Sequence, residues 1–299
     1  MNSKTIALLA LAFAIFTWGV SYVLVRSLVL ASGPSDSIVI RMCTTAIVCL
    51  PLLAFTGWRI DRADIPKLIL TGSVGMFGYF LGTIFGFAHV SSGIGGMIIA
   101  TQPLLIAILA AALGTEKLST SVLVGMVISF AGSLFLFSGN AGAAQTTADL
   151  IIGCAMIFTC GIAWAVYVIF SKPLVRKYGA LKIAAWSLVL CAPPALVFLS
   201  SSTSGAIANM RSEDWQALFF LSIVSTFIAL AAWNFASGHL RSTTMGASLY
   251  FVPVLAVVTG WLVLGEKVTL STFIAGFLIL AGVAIAEFGK SFLTRIKKA

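Results

Sequence analysis

Ten long apolar stretches are the feature that most limits what this chain can fold into. Each has about the 20 residues that a helix needs to cross a bilayer core roughly 30 Å thick. Only short polar or Gly/Pro-containing segments separate them. The predicted spans are 4–30, 34–56, 66–88, 92–114, 119–138, 149–171, 180–200, 214–238, 243–264 and 268–290. The sequence therefore predicts an all-α polytopic membrane protein with ten transmembrane helices.

Composition supports the same conclusion. Apolar residues make up 60% of the chain and charged residues only 9%, whereas soluble domains have about 45–50% and roughly 25%. This excludes a soluble enzyme, and it excludes disorder, which needs the opposite composition. The net charge of +9 is scattered between apolar runs and does not form the continuous basic face of a nucleic-acid-binding protein. The lipid bilayer is the expected solvent.

The basic residues indicate the orientation of the helices. Fourteen Lys and Arg residues fall on the side of the N-terminus, three fall on the opposite side, and Arg41 lies within helix 2. Positive charge accumulates in cytoplasmic loops. The count therefore predicts that both termini are cytoplasmic.

The two halves of the chain resemble each other. A shift of 150 residues maps His89 onto His239, Gly96 onto Gly246, Pro103 onto Pro253, Glu116-Lys117 onto Glu266-Lys267 and Ala131-Gly132 onto Ala281-Gly282. Near the start of each half, a shift of 146 pairs Trp18 with Trp164. We therefore predict two repeats, residues 1–140 and 141–299, within one membrane domain. Five helices per repeat place the second repeat upside down, which is typical of secondary transporters with a substrate site near the membrane midplane.

These landmarks also carry a family resemblance. The ten spans in two repeats, Trp18-Gly19 in helix 1, the Arg in helix 2, and the turns Gly114-Thr115-Glu116-Lys117 and Gly265-Glu266-Lys267 resemble the drug/metabolite transporter superfamily, and within it the EamA-like family. The first helices are similar to those of YddG-type aromatic amino-acid exporters. The resemblance implies a multi-pass protein of the bacterial inner (plasma) membrane that exports amino acids and related metabolites.

Two aromatic pairs are the first candidates for a substrate site. Trp18 and Tyr22 share one face of helix 1, and Trp164 and Tyr167 share one face of helix 6. Both tryptophans fall near mid-span, where an indole N–H in lipid lacks a partner. They either line a cavity between the halves or pack against each other in the core.

Further candidates lie on helices 3, 4, 8 and 9. Gly78, Gly82 and Gly86 are spaced for close helix packing, which leaves the neighbouring ridge of Tyr79, Thr83 and Phe87 for the cavity. Proline at position 103 predicts a break in helix 4. The remaining candidates for substrate binding are Gln102 before that proline, Trp233 and Asn234 on helix 8, and Tyr250 on helix 9. Gln102 and Asn234 can bind the polar ends of a zwitterion or a neighbouring helix.

Charged groups within the spans need partners. Arg41 can bind a substrate carboxylate or act in structure or gating, and Asp36 is a possible ion-pair partner. His89 can respond to protons or lie inertly at the interface. Glu116 and Glu266 follow glycines, and each is expected to cap the helix that comes next. The five cysteines lie in apolar stretches and are interpreted as small core residues.

The sequence contains no nucleophile–base motif, metal spacing or phosphate-binding loop. We therefore expect neither an enzyme nor a cofactor. The favoured function is a secondary transporter that exports aromatic and other neutral amino acids by alternating access. The alternative is an exporter of lipophilic cations such as methyl viologen, which the tryptophans would hold by cation–π contact; a membrane enzyme or scaffold is the third hypothesis. Both repeats lie on one chain, so a monomer should suffice.

Overall fold

The computed structural model of the protein describes residues 3–114, 120–139, 146–240, 248–249 and 251–296. Within these residues every regular element is helical and each predicted span overlaps a helix. The helices are α1 Ser3–Ser32, α2 Pro34–Thr56, α3 Arg62–His89, α4 Ser92–Ala112, α5 Thr120–Gly139, α6 Thr147–Tyr178, α7 Ala180–Phe198, α8 from Ser212 to His239, α9 Phe251–Leu264 and α10 Leu270–Ile296. A short helix, Ser201–Ala208, joins α7 to α8.

Seven of these helices have the length and apolar composition of membrane spans, namely α1 to α4 and α6 to α8. Two shorter apolar helices lie within α9 and α10. Large apolar side chains such as Phe16, Ile47, Phe55, Phe273 and Phe277 are exposed around the bundle. An exposed apolar surface of this extent is unfavourable in water and favourable in lipid. The protein is therefore a polytopic all-helical membrane protein, as predicted.

Each helix of the first half packs against helices of the second half. Helix α1 contacts α8 and α9, and α6 makes the corresponding contacts with α3 and α4. Three further pairs, α2–α7, α4–α9 and α5–α10, join helices that occupy the same place in their halves. Exchanging the halves leaves this set of contacts unchanged.

Glycines set the closest approaches between helices. A Cβ atom on Gly82 would lie 2.5 Å from the Met156 carbonyl oxygen, and one on Gly86 would lie 2.4 Å from Cγ1 of Ile157. Both helix contacts are between α3 and α6, so the predicted packing role of the α3 glycines is confirmed. Gly132 and Gly282, which the repeat relates, fill the same role where α5 crosses α10.

Two helices contain a π-helical segment that the sequence analysis did not predict. In α3 the segment is Leu70–Met76, and in α8 it is Phe220–Ile228. The shift of 150 residues maps the first onto residues 220–226 of the second. Helix α4 is also irregular: it is interrupted between Ile99 and Gln102, directly before Pro103, which confirms the predicted break. π-Helical segments are rare and frequently occur at functional sites.

Candidate substrate cavity and the two ends of the bundle

A cavity lies between the two halves, where the irregular parts of α3, α4 and α8 meet α1, α2 and α6. Met76 at the end of the first π-helical segment lines it, as do Ser225 and Thr226 of the second. Its other lining residues are Trp18, Ser21, Tyr22, Val25, Arg41, Tyr79, Phe80, Thr83, Ile99, Gln102, Trp164, Leu230, Leu249 and Val252. Both halves of the chain therefore contribute to one central site.

Aromatic rings from both halves of the chain form one wall of the cavity. The ring centroids of Trp18 and Trp164 are 5.9 Å apart with an interplanar angle of 82°, an edge-to-face contact. Tyr79 packs against Trp164 at 5.4 Å. The hydroxyl groups of Tyr22 and Tyr79 are 3.4 Å apart. The predicted pairs on α1 and α6 therefore do meet, and Tyr79 of α3 joins them.

The indole of Trp18 is held by the second π-helical segment. Its Nε1–H donates a hydrogen bond of 2.9 Å to the main-chain carbonyl of Ser225. On the other face, the ring of Trp233 packs against Trp18 with centroids 5.2 Å apart. The Trp18 indole is thereby fixed in position, whereas Nε1 of Trp164 has no hydrogen-bond partner among the described residues.

Arg41 reaches the same cavity from α2. Its side chain is only 4% exposed, its Nη2 donates to Oγ1 of Thr226 at 3.2 Å, and its Cζ lies 4.8 Å from the ring centroid of Phe80. Its Nε and Nη1 have no partner among the described residues. The suggested ion pair with Asp36 is wrong, because that carboxylate instead accepts hydrogen bonds from the hydroxyls of Ser202 and Thr203.

The break in α4 presents an amide to the cavity. Gln102 is the first residue of the second part of the helix, and its side chain is buried. Its Nε2 has no partner in the described part of the chain. Thr83, opposite on α3, is buried and lines the cavity, while its hydroxyl donates to the Tyr79 carbonyl at 2.6 Å.

The other predicted site residues lie outside the first layer. Tyr167 stacks on Trp164 at 5.3 Å, so it supports the wall from behind. Asn234 is half-buried beside Trp233, and neither is among the lining residues. Phe87 is fully buried against Tyr22. Tyr250, Glu116 and Gly246 lie outside the described residues.

The cavity is small, with a volume of ≈ 50 Å³. For comparison, an engineered apolar cavity of about 150 Å³ holds benzene. An aromatic amino acid therefore enters only when the helices that line the cavity move apart. We call this narrow conformation closed, in the sense that the cavity is too small for an aromatic amino acid.

His89 lies at an end of the bundle instead of the cavity. Its Nδ1 is 3.2 Å from Oδ1 of Asp149, and Asp149 also forms the capping box of α6 with Thr146. Four cysteines (Cys49, Cys154, Cys160 and Cys191) are buried and Cys43 is half-buried, all as free thiols, which agrees with their interpretation as core residues. The described residues contain no cluster of potential metal ligands.

One end of the bundle is held together by Glu266; we call it the Glu266 end. The carboxylate accepts hydrogen bonds from the main-chain N–H (3.0 Å) and the hydroxyl (2.6 Å) of Ser92, where α4 begins. Arg26 near the end of α1 lies 3.2 Å from the same carboxylate and donates to the carbonyls of Phe87 and Val90. Glu266 thus caps a helix as predicted, but the helix is α4 of the other half and not the following α10.

The opposite end is held together around Asp61; we call it the Asp61 end. Lys177 at the end of α6 contacts the carboxylates of Asp61 and Asp64 before and at the start of α3. The hydroxyl of Tyr178 donates to Asp64 at 2.7 Å. The hydrogen bond from Lys177 lowers the pKa of the Asp61 carboxyl below its usual value. Each end therefore carries an ion-pair network between the two halves.

A multi-pass helical bundle with a closed aromatic cavity between two interlocked halves has the build of a membrane transporter. The sequence profile of the EamA-like transporter family matches residues 5–138 and again residues 151–288. The chain therefore belongs to the EamA-like transporter family. It is a multi-pass inner-membrane protein, and its family consists of transporters, not enzymes.

Individual relatives cover almost the full chain. An uncharacterized transporter of Archaeoglobus fulgidus is 26% identical over 93% of this chain and 97% of its own. A probable terminal-alkyne amino-acid exporter of Streptantibioticus cattleyicolor is 26% identical over 93% and 92%. A probable amino-acid metabolite efflux pump of Escherichia coli is 21% identical over 95% of each. A crystal structure with 22% identity and a TM-score of 0.64 covers 98% of this chain and 99% of that one, and it shows the same fold.

The sequence analysis missed the contribution of α8 to the cavity. Ser225, Thr226 and Leu230 line it, yet α8 was represented only by Trp233 and Asn234. The repeat contained a usable signal, because Thr226 is the counterpart of Met76 and lies one turn before the counterpart of Tyr79. The π-helical geometry itself has no comparable sequence signal.

Proposed function

We propose that this protein is a secondary transporter that exports amino acids and related metabolites, aromatic and other neutral ones included, by alternating access. The central observation is the aromatic cavity between the two halves, which both repeats line. Relatives named as amino-acid or amino-acid-metabolite exporters support the cargo class. Its closed form is consistent with an occluded state between two open ones.

We also propose the ten-helix architecture with two inverted repeats, 1–140 and 141–299, and both termini in the cytoplasm. The two separate family matches support it. So does the set of helix contacts that is unchanged when the halves are exchanged, since inverted repeats produce this pattern. The distribution of Lys and Arg supports the orientation, which makes the Glu266 end external and the Asp61 end cytoplasmic. One chain contains both halves, so the functional unit is a monomer in the lipid bilayer.

The residues divide into three proposed roles. Trp18, Tyr22, Tyr79, Thr83 and Trp164 form the wall that receives an apolar or aromatic side chain. Gln102 and the Tyr250 and Asn234 positions bind polar groups of the cargo. Tyr167 and Trp233 support the two central indoles, while Arg41 and His89 act through their charge in binding or gating.

Counterflow with the purified protein in proteoliposomes tests this function directly. Vesicles loaded with unlabelled phenylalanine are offered labelled phenylalanine, with threonine and methyl viologen as parallel cargos. We expect accumulation of both amino acids. Counterflow needs no coupling ion, so absence of amino-acid accumulation would contradict the proposal, and accumulation of methyl viologen alone would favour the lipophilic-cation exporter.

The Trp164→Ala variant tests the cavity. Trp164 contacts Trp18, Tyr79 and Tyr167, so its loss removes the centre of the aromatic wall. We expect loss of counterflow for phenylalanine while the protein still purifies as a folded monodisperse species. Trp261→Ala is the matched control, because Trp261 is exposed on α9 away from the cavity. Wild-type counterflow by Trp164→Ala across several amino acids would exclude this cavity as the site.

A further inference from the structure

Among the described residues that line the cavity, the buried polar side-chain atoms without a partner are all hydrogen-bond donors. They are Nε and Nη1 of Arg41, Nε2 of Gln102 and Nε1 of Trp164. Buried donors without partners are unfavourable, and native proteins rarely leave several of them side by side. A cluster of such donors in one cavity indicates a ligand that supplies acceptors.

The cavity also carries a positive charge that no carboxylate among the described residues balances. Among the described residues, no Asp or Glu lines it. Asp36, the described carboxylate nearest to Arg41 in the chain, instead accepts hydrogen bonds from Ser202 and Thr203. The guanidinium of Arg41 donates one hydrogen bond to Thr226 and lies against the face of Phe80, so part of its hydrogen-bonding capacity remains unused.

Guanidinium geometry favours one kind of partner. Arginine presents parallel N–H donors that match the two oxygens of a carboxylate. Each parallel pair contains Nη2, which has two N–H groups and donates one of them to Thr226. Its other N–H can still act together with that of Nε or Nη1, neither of which has a partner among the described residues. An ammonium group on the cargo finds only neutral oxygens in the cavity, and a cation is repelled by Arg41.

We propose that Arg41 binds the carboxylate of the cargo, and that the cavity selects apolar and aromatic carboxylic acids whether or not they carry an α-amino group. The unpaired donors of Gln102 and Trp164 then suit a 2-hydroxy or 2-oxo oxygen at least as well as they suit an amino acid. This inference rests on the proposed transport function and narrows its substrate class. It makes Arg41 a specificity-determining residue and argues against lipophilic cations as cargo.

Three compounds of similar size separate the contributions of the two polar groups. Phenylalanine carries both the carboxylate and the ammonium, 3-phenyllactate carries the carboxylate alone, and phenethylamine carries the ammonium alone. In counterflow with the full chain, we expect phenylalanine and 3-phenyllactate to accumulate and phenethylamine to stay at the level of protein-free vesicles. Phenethylamine accumulating as phenylalanine does would overturn the proposal.

Variants of Arg41 provide a second test of the proposal. We expect Arg41→Gln to weaken binding of both carboxylates by about tenfold or more, as loss of a charge-assisted hydrogen bond does, and Arg41→Lys to retain part of it. Arg211→Gln is the control, because Arg211 is exposed at the surface, where it pairs with Glu213 and Asp214. Unchanged affinity in Arg41→Gln would overturn the proposal.

A structural role for Arg41 makes a different prediction about stability. If Arg41 is a ligand-binding residue, its charge is buried without a counter-charge in the unliganded protein and destabilises it. Arg41→Gln should then unfold at a temperature equal to or above that of wild type. A fall in unfolding temperature together with unchanged carboxylate affinity would assign Arg41 to structure alone. Addition of 3-phenyllactate should raise the unfolding temperature of wild type but not of Arg41→Gln.

Binding is measured separately from transport by tryptophan fluorescence, since Trp18 and Trp164 form the cavity wall. If 3-phenyllactate changes the fluorescence of wild type but not of Arg41→Gln, while neither it nor any amino acid shows counterflow, the carboxylate site stands and the transport function fails. If amino acids show counterflow, but 3-phenyllactate neither binds nor accumulates and Arg41→Gln has no effect, the transport function stands and the carboxylate site fails.

Discussion

The Glu266 end and the Asp61 end are joined by the same kind of interaction in very different surroundings. At the Glu266 end the side chains of Arg26 and Glu266 are 16% and 15% exposed, and main-chain groups of α3 and α4 share in the network. At the Asp61 end the side chains of Lys177 and Asp61 are 51% and 64% exposed. The first network is enclosed by helix ends, whereas in the second only the Asp64 side chain, 18% exposed, is about as enclosed.

This difference bears on which end opens more readily. Exposed ion pairs contribute little because water and salt screen them. Breaking an enclosed ion pair costs more free energy, because each charge then stays buried without its partner and without water. We therefore expect the closed molecule to open more easily at the Asp61 end, so that the cavity is loaded from the side proposed to be cytoplasmic, as an exporter requires.

The largest effect is expected from Glu266→Gln. The substitution leaves Arg26 without a counter-charge, at a cost of about 3 kcal/mol, which shifts the equilibrium at that end by about two orders of magnitude. The readout is labelling of Thr83→Cys, in a cysteine-free background, by an impermeant maleimide in right-side-out vesicles. Labelling should rise strongly. Glu213→Gln is the control, because Glu213 is an exposed carboxylate beside Arg211. Equal labelling in both variants would show that the Glu266 network does not hold this end closed.

A smaller effect at the same end is expected from Ser92→Ala. It removes the 2.6 Å hydrogen bond from the hydroxyl to Glu266 but leaves the main-chain bond and the ion pair with Arg26. Hydrogen bonds to charged groups contribute about 1.5–3 kcal/mol, so labelling at position 83 should rise by about tenfold. Ser204→Ala, an exposed serine that bonds only to the Ser201 carbonyl, should leave it unchanged. An effect as large as that of Glu266→Gln would mean that the hydroxyl, not the ion pair, holds this end.

Lys177→Gln should have a weaker effect at the opposite end. It removes the cation shared by Asp61 and Asp64, yet Lys177 and Asp61 are exposed enough for water and salt to screen them, and only Asp64 is enclosed. In inside-out vesicles, labelling of Thr83→Cys should rise by less than in the Glu266→Gln experiment from the other side. Lys172→Gln, one turn earlier on α6 and exposed, provides the matched control. If Lys177→Gln gave the larger change, the order of the two ends would be reversed.

Acid and salt should give the smallest changes, and only at the Asp61 end. Because the pKa of Asp61 is lowered in the folded protein, its ion pair stabilises this end above the unfolded-state pKa of about 3.9 and is lost as pH falls through the lower folded value. Labelling from that side should therefore rise slightly under acid and at high ionic strength. Equal responses of the two ends to salt would show that the Glu266 network is not enclosed.

Much of the fold could be predicted because its signals are local. Apolar length marks the spans, proline at position 103 marks the break in α4, and the spacing of Gly82 and Gly86 marks the α3–α6 contact. The internal repeat went further, since pairing Trp18 with Trp164 by sequence anticipated that the two rings would meet.

The errors and omissions all concern partners that are distant in the chain. The sequence suggested Asp36, five residues away, as the ion-pair partner of Arg41, whereas Arg41 contacts Thr226 of the other half. Glu266 was expected to cap the helix that follows it, and it caps α4 instead. The π-helical segments were not foreseen, because they depend on what packs against α3 and α8 and not on a distinctive local composition.

The sequence by itself determined that this chain is a membrane protein and where its helices lie, because both follow from hydropathy and periodicity within short windows. Only the tertiary structure decided which charges meet at each end and which donors remain unpaired in the cavity. Such pairings depend on helices from the two halves that pack within a few ångströms, so their chemistry is set by neighbours some 150 to 200 residues away.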